Sequence, residues 1–423
     1  MKISKSLFLA FAGLGLFACS NEDVTEGING NPDETMAIAV QLEGLSQGSR
    51  GIDTPITGDT GEGKQKNTTI TSAAILFSDG TNVLKAVSLN STENSTDWTN
   101  FTKPADGKVY VVHEVPGTVR SVQIIGNYKA AGLEEYIDGD GGDNKGLVGG
   151  NKATLADVKA KTIESSSQQT FENVAVFGED NTLELSEYQH QEGDSDKETA
   201  TKVYKADVTV KHLFSRIEIG NIQCEDLGEG NLQLKELLLK HIGLLNYYNT
   251  TAINGTGSNP MTNANVLEPG TTSIGDNYCW DDSQLGTEKY TTRKWAWDAF
   301  AQNTKLTSKN DIFNPDKTTG SKDGKFVYQF VPEQVKINDA AKDFHIKLYV
   351  DATLKDGSGT YPLHTITAKL PGIHYGVAGY IYKVDLKFKE GNLGPWNPDE
   401  KVCIEVKVTA EPWNIETLTP EFI

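Results

Sequence analysis

The sequence predicts an all-β protein built from two β-sandwich domains in tandem, with long loops and few short helices. Runs of alternating β-branched, aromatic and polar residues are separated by clusters of Gly, Asn, Asp and Ser, a pattern typical of strands joined by turns. One core rarely serves a chain of 423 residues, so the length favours two domains. Many short strands with regular turn signals favour sandwiches. The clearest strand-like runs are residues 69–77, 109–115, 119–125, 203–210, 326–331, 344–350 and 381–388.

The chain begins with the features of a lipoprotein signal. Lys2 and Lys5 precede an apolar run over residues 7–17, too short to cross the roughly 30 Å of a bilayer core as a helix. The run leads into Leu16-Phe17-Ala18-Cys19, which resembles a lipobox, the motif in which the cysteine thiol is lipidated. We therefore expect a signal over residues 1–19 with lipidation at Cys19. The alternative is an ordinary cleaved signal with an incidental cysteine.

Two acidic residues, Glu22 and Asp23, follow the cysteine closely, as in the export tag of surface lipoproteins of the Bacteroidales; a solvated acidic linker is the alternative. The formal net charge of -19 makes nucleic acid an improbable partner, because phosphate binding needs a basic surface. Four cysteines, without a CxxC or His/Cys cluster, leave no zinc or redox motif. A disulfide among Cys224, Cys279 and Cys403 stays open.

Several internal segments carry local predictions. Residues 154–163 suit one short helix with Thr154 as N-cap. Residues 232–245 alternate well enough for a strand, which the Gly-rich flanks favour over a helix. Residues 138–144 resemble a calcium loop, but Gly149 replaces the bidentate glutamate, so a surface turn is favoured. Residues 249–277 indicate an exposed loop. The domains are expected at residues 51–205 and 206–411.

Enzyme signatures are absent: the chain has no GxSxG, HExxH or P-loop motif. The seven histidines are scattered without metal-ligand spacing, so no catalytic, metal or cofactor site is predicted. A carboxylate pair of the glycosidase kind stays open among 58 acidic residues. Trp295 and Trp297 suit a half-buried strand, or a sugar-stacking platform. A glycan-binding surface lipoprotein and a secreted hydrolase are therefore the competing functions.

The first strand-like segment is followed by an unusual arginine. Met36, Ile38, Val40 and Leu42 share one face of the segment at residues 36–42. Arginine is scarce, and Arg120, Arg216 and Arg293 lie in strand-like or aromatic contexts, whereas Arg50 lies among Gly and Ser. Proteases need an accessible chain, so the Arg50–Gly51 bond is the expected cleavage site. The alternative is a first strand and a loop that is never cut.

The C-terminal region pairs a strand with an apolar tail. Val402, Ile404, Val406 and Val408 predict one final strand, which Pro412 should interrupt because it lacks a backbone donor. The tail at residues 412–423 should be buried on its own domain or in another subunit. Its large apolar residues are Trp413, Ile415, Leu418, Phe422 and Ile423.

Together these features resemble the type V pilins, the fimbrillin family of the Bacteroidales, and most closely the shaft subunit of short fimbriae. The resemblance rests on the order of the lipobox at Cys19, the strand, Arg50 and the apolar tail. It implies transthyretin-like sandwiches, no enzymatic activity and no cofactor.

The resemblance also implies an assembly mechanism. The precursor is anchored in the outer membrane by its lipid, and an arginine-specific surface protease cuts after Arg50. Removal of the propeptide, residues 20–50, takes with it a plug strand of Met36, Ile38, Val40 and Leu42. The tail of another subunit then acts as a donor strand, giving a head-to-tail polymer of identical and accessory fimbrial subunits at the cell surface.

Overall fold

A computed structural model describes fifteen stretches of the chain, and all structural statements below concern them. They are residues 35–43, 68–93, 95–102, 110–168, 174–185, 203–245, 247–261, 297–314, 326–330, 345–357, 359–369, 378–393, 403–404, 406–412 and 415–416. Strands predominate over short helices in these stretches, which confirms the expected all-β class.

The first half contains eleven strands and three short helices among the described residues. The strands are β1 (Thr35–Glu43), β2 (Thr68–Thr69), β3 (Ser72–Ser78), β4 (Val83–Asn90), β5 (Tyr110–Pro116), β6 (Ser121–Gly126), β7 (Thr162–Glu164), β8 (Val176–Asp180), β9 (Glu184–Leu185), β10 (Val203–Thr209) and β11 (Lys211–His212). The helices are α1 (Ser95–Thr102), α2 (Glu134–Ile137) and α3 (Leu155–Lys159), followed by a 3-10 turn at Ser165–Gln168.

Strands are also the main element of the second half where it is described. They are β12 (Ser215–Cys224), β13 (Leu234–Leu245), β14 (Tyr247–Ala252), β15 (Gly257–Met261), β16 (Trp297–Ala299), β17 (Lys305–Leu306), β18 (Phe326–Phe330), β19 (His345–Leu354), β20 (Thr360–Lys369), β21 (Tyr380–Phe388), β22 (Cys403–Ile404), β23 (Val406–Pro412) and β24 (Ile415–Glu416). A 3-10 turn at Glu390–Leu393 follows β21.

The first sandwich packs a sheet of order β5-β1-β10-β9 against one of order β11-β8-β6-β3-β4. Its core lies between these sheets and contains fully buried side chains such as Ile38, Ile75, Phe77 and Ile124. Ala74, Leu76 and Ile125 point to the other face of the second sheet, where they enter a separate apolar cluster. Because β3 is buried on both faces, its sequence is a continuous apolar run rather than an alternating one.

The second sandwich packs a sheet of order β18-β12-β21-β23 against one of order β16-β13-β19-β20-β22. β17 also pairs with β13. Leu237, Leu239, Ile217 and Val384 belong to the cluster that fills it. The strand predicted over residues 232–245 is confirmed as β13.

The two halves meet in a third sheet of order β15-β14-β7. Tyr248 and Ile253, from the β14–β15 hairpin, are buried in the cluster on the outer face of the first sandwich. The expected division at residues 205 and 206 falls inside β10, which pairs with β1 along its whole length. Strand pairing instead passes from the first sandwich to the second between His212 and Ser215.

Several local predictions need correction. The helix expected at residues 154–163 is only α3, although Thr154 is its N-cap and accepts a hydrogen bond from Asp157 N; the chain then extends into β7. The expected loop at 249–277 begins instead with the β14–β15 hairpin, because its threonines pair across strands.

The single final strand expected near the C-terminus is two strands, β22 and β23, that join different sheets. Pro412 ends β23 opposite Tyr380 rather than interrupting it.

Among the described residues, no helix has the length and apolar character needed to cross a membrane.

Candidate functional site

The first strand occupies a slot between two strands that are distant in sequence. β1 runs parallel to β10, with an unbroken ladder from Ala37–Val203 to Glu43–Thr209. On its other side it runs antiparallel to β5. β1 is therefore an interior strand of its sheet, although the chain that follows it leads to Arg50, outside the described residues.

The slot buries β1 on both faces. Met36, Ile38 and Val40 are at most 6% exposed and belong to the core between the sheets. The side chain of Leu42 lies outside the described residues. On the opposite face Ala37 and Ala39 are buried beside Val203. Burying each large apolar side chain contributes roughly 1.5–3 kcal/mol, so β1 supplies a substantial part of this core.

A β-bulge interrupts β5 where it faces Ala37. Val115 pairs with Met36 and Val112 with Ile38, so His113 and Glu114 together face one residue of β1. Glu114 has φ of 52°, a conformation that is uncommon outside glycine. Lys85 of β4 donates from Nζ to the carbonyl oxygens of His113, at 2.6 Å, and Glu114, at 3.2 Å. This contact joins the edges of the two facing sheets.

Helix α1 covers the other end of the slot. Its apolar residues, Trp98 and Phe101, are three positions apart and both enter the core. Phe101 meets the ring of Tyr110 edge-on at 5.7 Å between centroids. Tyr110 is the β5 residue that pairs with Val40. Burial, with the nearby charge of Asp97, raises the pKa of Tyr110 to about 12.

The described arginines are held within the fold. Arg120 donates two hydrogen bonds to the carbonyl oxygens of Gly117 and Val119. Arg216 is 1% exposed and its guanidinium lies 2.7 Å from a carboxylate oxygen of Glu218. Arg50, Gly51 and Arg293 lie outside the described residues, as does Cys19.

Part of the apolar tail pairs within its own chain. Ile415 and Glu416 form β24, parallel to Thr68 and Thr69 of the first half. The other predicted donor residues, Trp413, Leu418, Phe422 and Ile423, lie outside the described residues. β23, which precedes them in the chain, is one of the two edge strands of its sheet among the described residues.

The segment at residues 138–144 is a turn whose polar groups bond to one another. Asp140 N donates to Asn144 O, and Asp140 Oδ1 accepts from Gly142 N. Asp138 Oδ2 accepts from the hydroxyl of Tyr128. Within the part of the chain that the structure describes, no group of three or more His, Cys, Asp or Glu residues is arranged to hold a metal ion.

Of the remaining cysteines and tryptophans that the sequence singled out, some lie within the described residues and others outside them. Cys224 is a buried free thiol, and burial raises its pKa to about 12. Cys279 and the side chain of Cys403 lie outside the described residues. Trp297 begins β16, but its side chain and all of Trp295 also lie outside them.

Sequence reasoning did not identify the neighbours of β1, α1 or the bulge. The pairing of β1 with β5 and β10 depends on contacts between distant segments, which alternation alone does not encode. Helix α1, by contrast, left a local signal in Trp98 and Phe101.

The fold is similar to the folds of several solved structures. A candidate cell adhesion protein of Bacteroides eggerthii is 14% identical with a TM-score of 0.53, covering 92% of this chain and 99% of that one. A candidate cell adhesion protein of Parabacteroides distasonis is 12% identical, with a TM-score of 0.45 and coverage of 90% and 97%. A fimbrilin of Porphyromonas gingivalis is 12% identical, with a TM-score of 0.43 and coverage of 92% and 99%.

No protein-family model and no curated protein matches the sequence. At these identities the likeness concerns the fold alone, and the Bacteroides eggerthii protein supports it over nearly the whole chain. The resemblance expected from the sequence is confirmed at that level.

Proposed function

We propose that the chain is a structural subunit of a cell-surface fimbria, exported as a lipoprotein and polymerised by strand exchange. The observation that carries this proposal is the position of β1. It supplies buried residues to the core and forms ladders on both edges, yet it precedes Arg50 in the chain. A cut after Arg50 separates β1 from the rest of the sandwich without breaking any other strand connection.

Loss of β1 would open an apolar groove flanked by two unpaired strand edges. Such a groove binds an extended peptide by main-chain hydrogen bonds along both walls and by side-chain contacts with its floor. Four large apolar residues in the groove contribute roughly 6–12 kcal/mol before the cost of ordering, which is an upper estimate. Each added strand hydrogen bond contributes about 1 kcal/mol net. The joint would therefore dissociate very slowly.

The proposed donor is the C-terminal tail of another subunit. Because one subunit donates and the next accepts, the contact does not close on itself, and repetition gives a filament. In the isolated chain Ile415 and Glu416 pair with β2. Donation therefore requires this short ladder to separate.

The remaining steps follow the lipoprotein route. Cys19 carries the lipid that holds the precursor at the outer membrane, and an arginine-specific protease makes the cut. Arg120 and Arg216 are held in the fold, which favours Arg50 as the target. We further propose that the subunit belongs to the shaft of short fimbriae.

Substitution of Arg50 tests the cleavage step. Arg50→Ala should leave β1 in its slot, so cells should retain the lipidated precursor and assemble no fibres, as judged by immunoblot and electron microscopy. Arg50→Lys is the matched control, because an arginine-specific enzyme should not cut it whereas added trypsin should restore assembly. Normal fibres from the Arg50→Ala strain would overturn the cleavage proposal.

Truncation tests the donor. A chain lacking residues 413–423 should fold and be processed but should not form ladders that resist mild detergent, because it cannot fill the groove of another subunit. If the truncated protein still forms such ladders, the donor lies elsewhere in the chain.

A further inference from the structure

Two features of β5 disfavour the addition of a strand along its outer edge. β5 is the last strand of its sheet among the described residues, so its outer edge is where a second chain could add a strand. At its end, Pro116 has no backbone N–H to offer. Before Pro116 lies the bulge of His113 and Glu114, held by Lys85.

Lys85 is the residue that holds the bulge in β5. Its ammonium group reaches from β4, in the facing sheet, and occupies the carbonyl oxygens of both bulged residues. Burial lowers the pKa of Lys85, while the charge of Glu114 raises it. The ammonium satisfies two carbonyl oxygens of this edge strand and stabilises a bulge, which disrupts the regular pairing that an added strand requires.

We propose that Lys85 directs strand addition to the slot of β1 by blocking the outer edge of β5 against a second copy of this chain. A filament needs one acceptor edge in each first sandwich, because a second one would produce branches or lateral bundles. The slot and the blocked edge are the two sides of the same strand, β5. Lys85 therefore allows β5 to pair with a strand in the slot of β1 and blocks pairing along its outer edge.

The test keeps the slot filled so that any association must use another surface. In the Arg50→Ala chain, which retains β1, Lys85→Met preserves the length of the side chain but removes the ammonium group. We expect this variant to self-associate about tenfold more strongly than the Arg50→Ala parent, equivalent to about 1.4 kcal/mol. Light scattering after size exclusion gives the association constant. Hydrogen exchange should show new protection in residues 110–115 of the oligomer.

Two control variants and one alternative variant make the outcome specific. Lys159→Met removes a lysine that pairs with Glu179 in the same sandwich, away from β5, and should leave the protein monomeric. Lys85→Arg retains a cation that can donate to both carbonyl oxygens and should restore the monomer. Lys85→Gln provides a second test should the methionine variant not fold.

A monomeric Lys85→Met protein, or an oligomer protected elsewhere than β5, would overturn the proposal. This result is separate from the proposed function, because the chain used here cannot exchange its first strand. If wild-type protein is never cleaved after Arg50, the fimbrial mechanism fails while the edge-blocking role of Lys85 can still hold.

Discussion

β1 and β12 occupy equivalent positions in the two sandwiches, but the proposed cleavage site follows only β1. Each is the first strand of its sandwich and lies between an antiparallel strand and a parallel one, which are β5 and β10 for β1 and β18 and β21 for β12. β1 is followed by the segment that contains Arg50. β12 is followed by a compact turn that returns directly to β13.

A buried carboxylate, that of Glu390, stabilises the turn after β12 by hydrogen bonds. Glu390 Oε1 accepts hydrogen bonds from Gly228 N, at 2.6 Å, and Leu234 N, at 3.1 Å. Glu390 N donates in turn to Asp226 Oδ1, at 2.6 Å. Under the proposed mechanism, the same strand position is permanent in the second sandwich and replaceable in the first.

The strongest test of this comparison deletes one core side chain in each strand. Ile38→Ala and Ile217→Ala both remove a fully buried isoleucine, so each should lower the free energy of unfolding of the precursor by about 2–5 kcal/mol. After processing and assembly, only Ile217→Ala should weaken the subunit, because Ile38 has left with the propeptide. Denaturant melts of precursor and of purified fibres measure both effects.

If Ile38→Ala also destabilises mature fibres, β1 has been retained and the two strands are equally permanent.

Weakening the turn after β12 should lower the free energy of unfolding of the second sandwich. Glu390→Ala leaves the amides of Gly228 and Leu234 without this acceptor, at a cost of about 2–4 kcal/mol in the free energy of unfolding. Glu229→Ala, in the same turn, breaks only an exposed pair with Lys309 and should change stability by less than about 1 kcal/mol. Equal effects in urea unfolding would show that Glu390 does not hold the turn.

The stability contributed by the junction between the sandwiches should decrease at acidic pH. Burial, aided by the charge of Arg216, lowers the pKa of His212 to about 3, whereas an unfolded histidine titrates near 6.5. Between these values the unfolded chain binds a proton that the folded chain does not, so stability is full above about pH 6.5 and falls as the pH decreases toward 3. His212→Gln should therefore flatten the decline in melting temperature between about pH 6.5 and 4.

An unchanged decline in the His212→Gln variant would assign acid sensitivity at the junction to other groups.

The sequence was informative where structure is local. The alternation of residues 36–42 predicted a strand with Met36, Ile38 and Val40 on its core face, and the structure places them there. Thr154 was predicted as an N-cap because its hydroxyl needs only a backbone amide three residues away. These features depend on neighbouring residues alone.

The sequence was uninformative where pairing is long-range. Residues 402–409 alternate like one strand, yet β22 and β23 join different sheets, an arrangement that depends on where β20 and β21 lie. The hydrogen bond from Lys85 to the carbonyl oxygen of His113, in the β5 bulge, joins residues 28 positions apart and leaves no periodic pattern in the sequence. The exchange mechanism itself came from family resemblance and remains a proposal.

The most direct test of the central claim is mass spectrometry of the N-terminus of the protein taken from the cell surface. The account predicts that subunits in fibres begin at Gly51, with β1 absent. A lipidated Cys19 on every molecule, with residues 35–43 still present, would contradict it. The chain would then be a surface lipoprotein whose first strand is as permanent as β12.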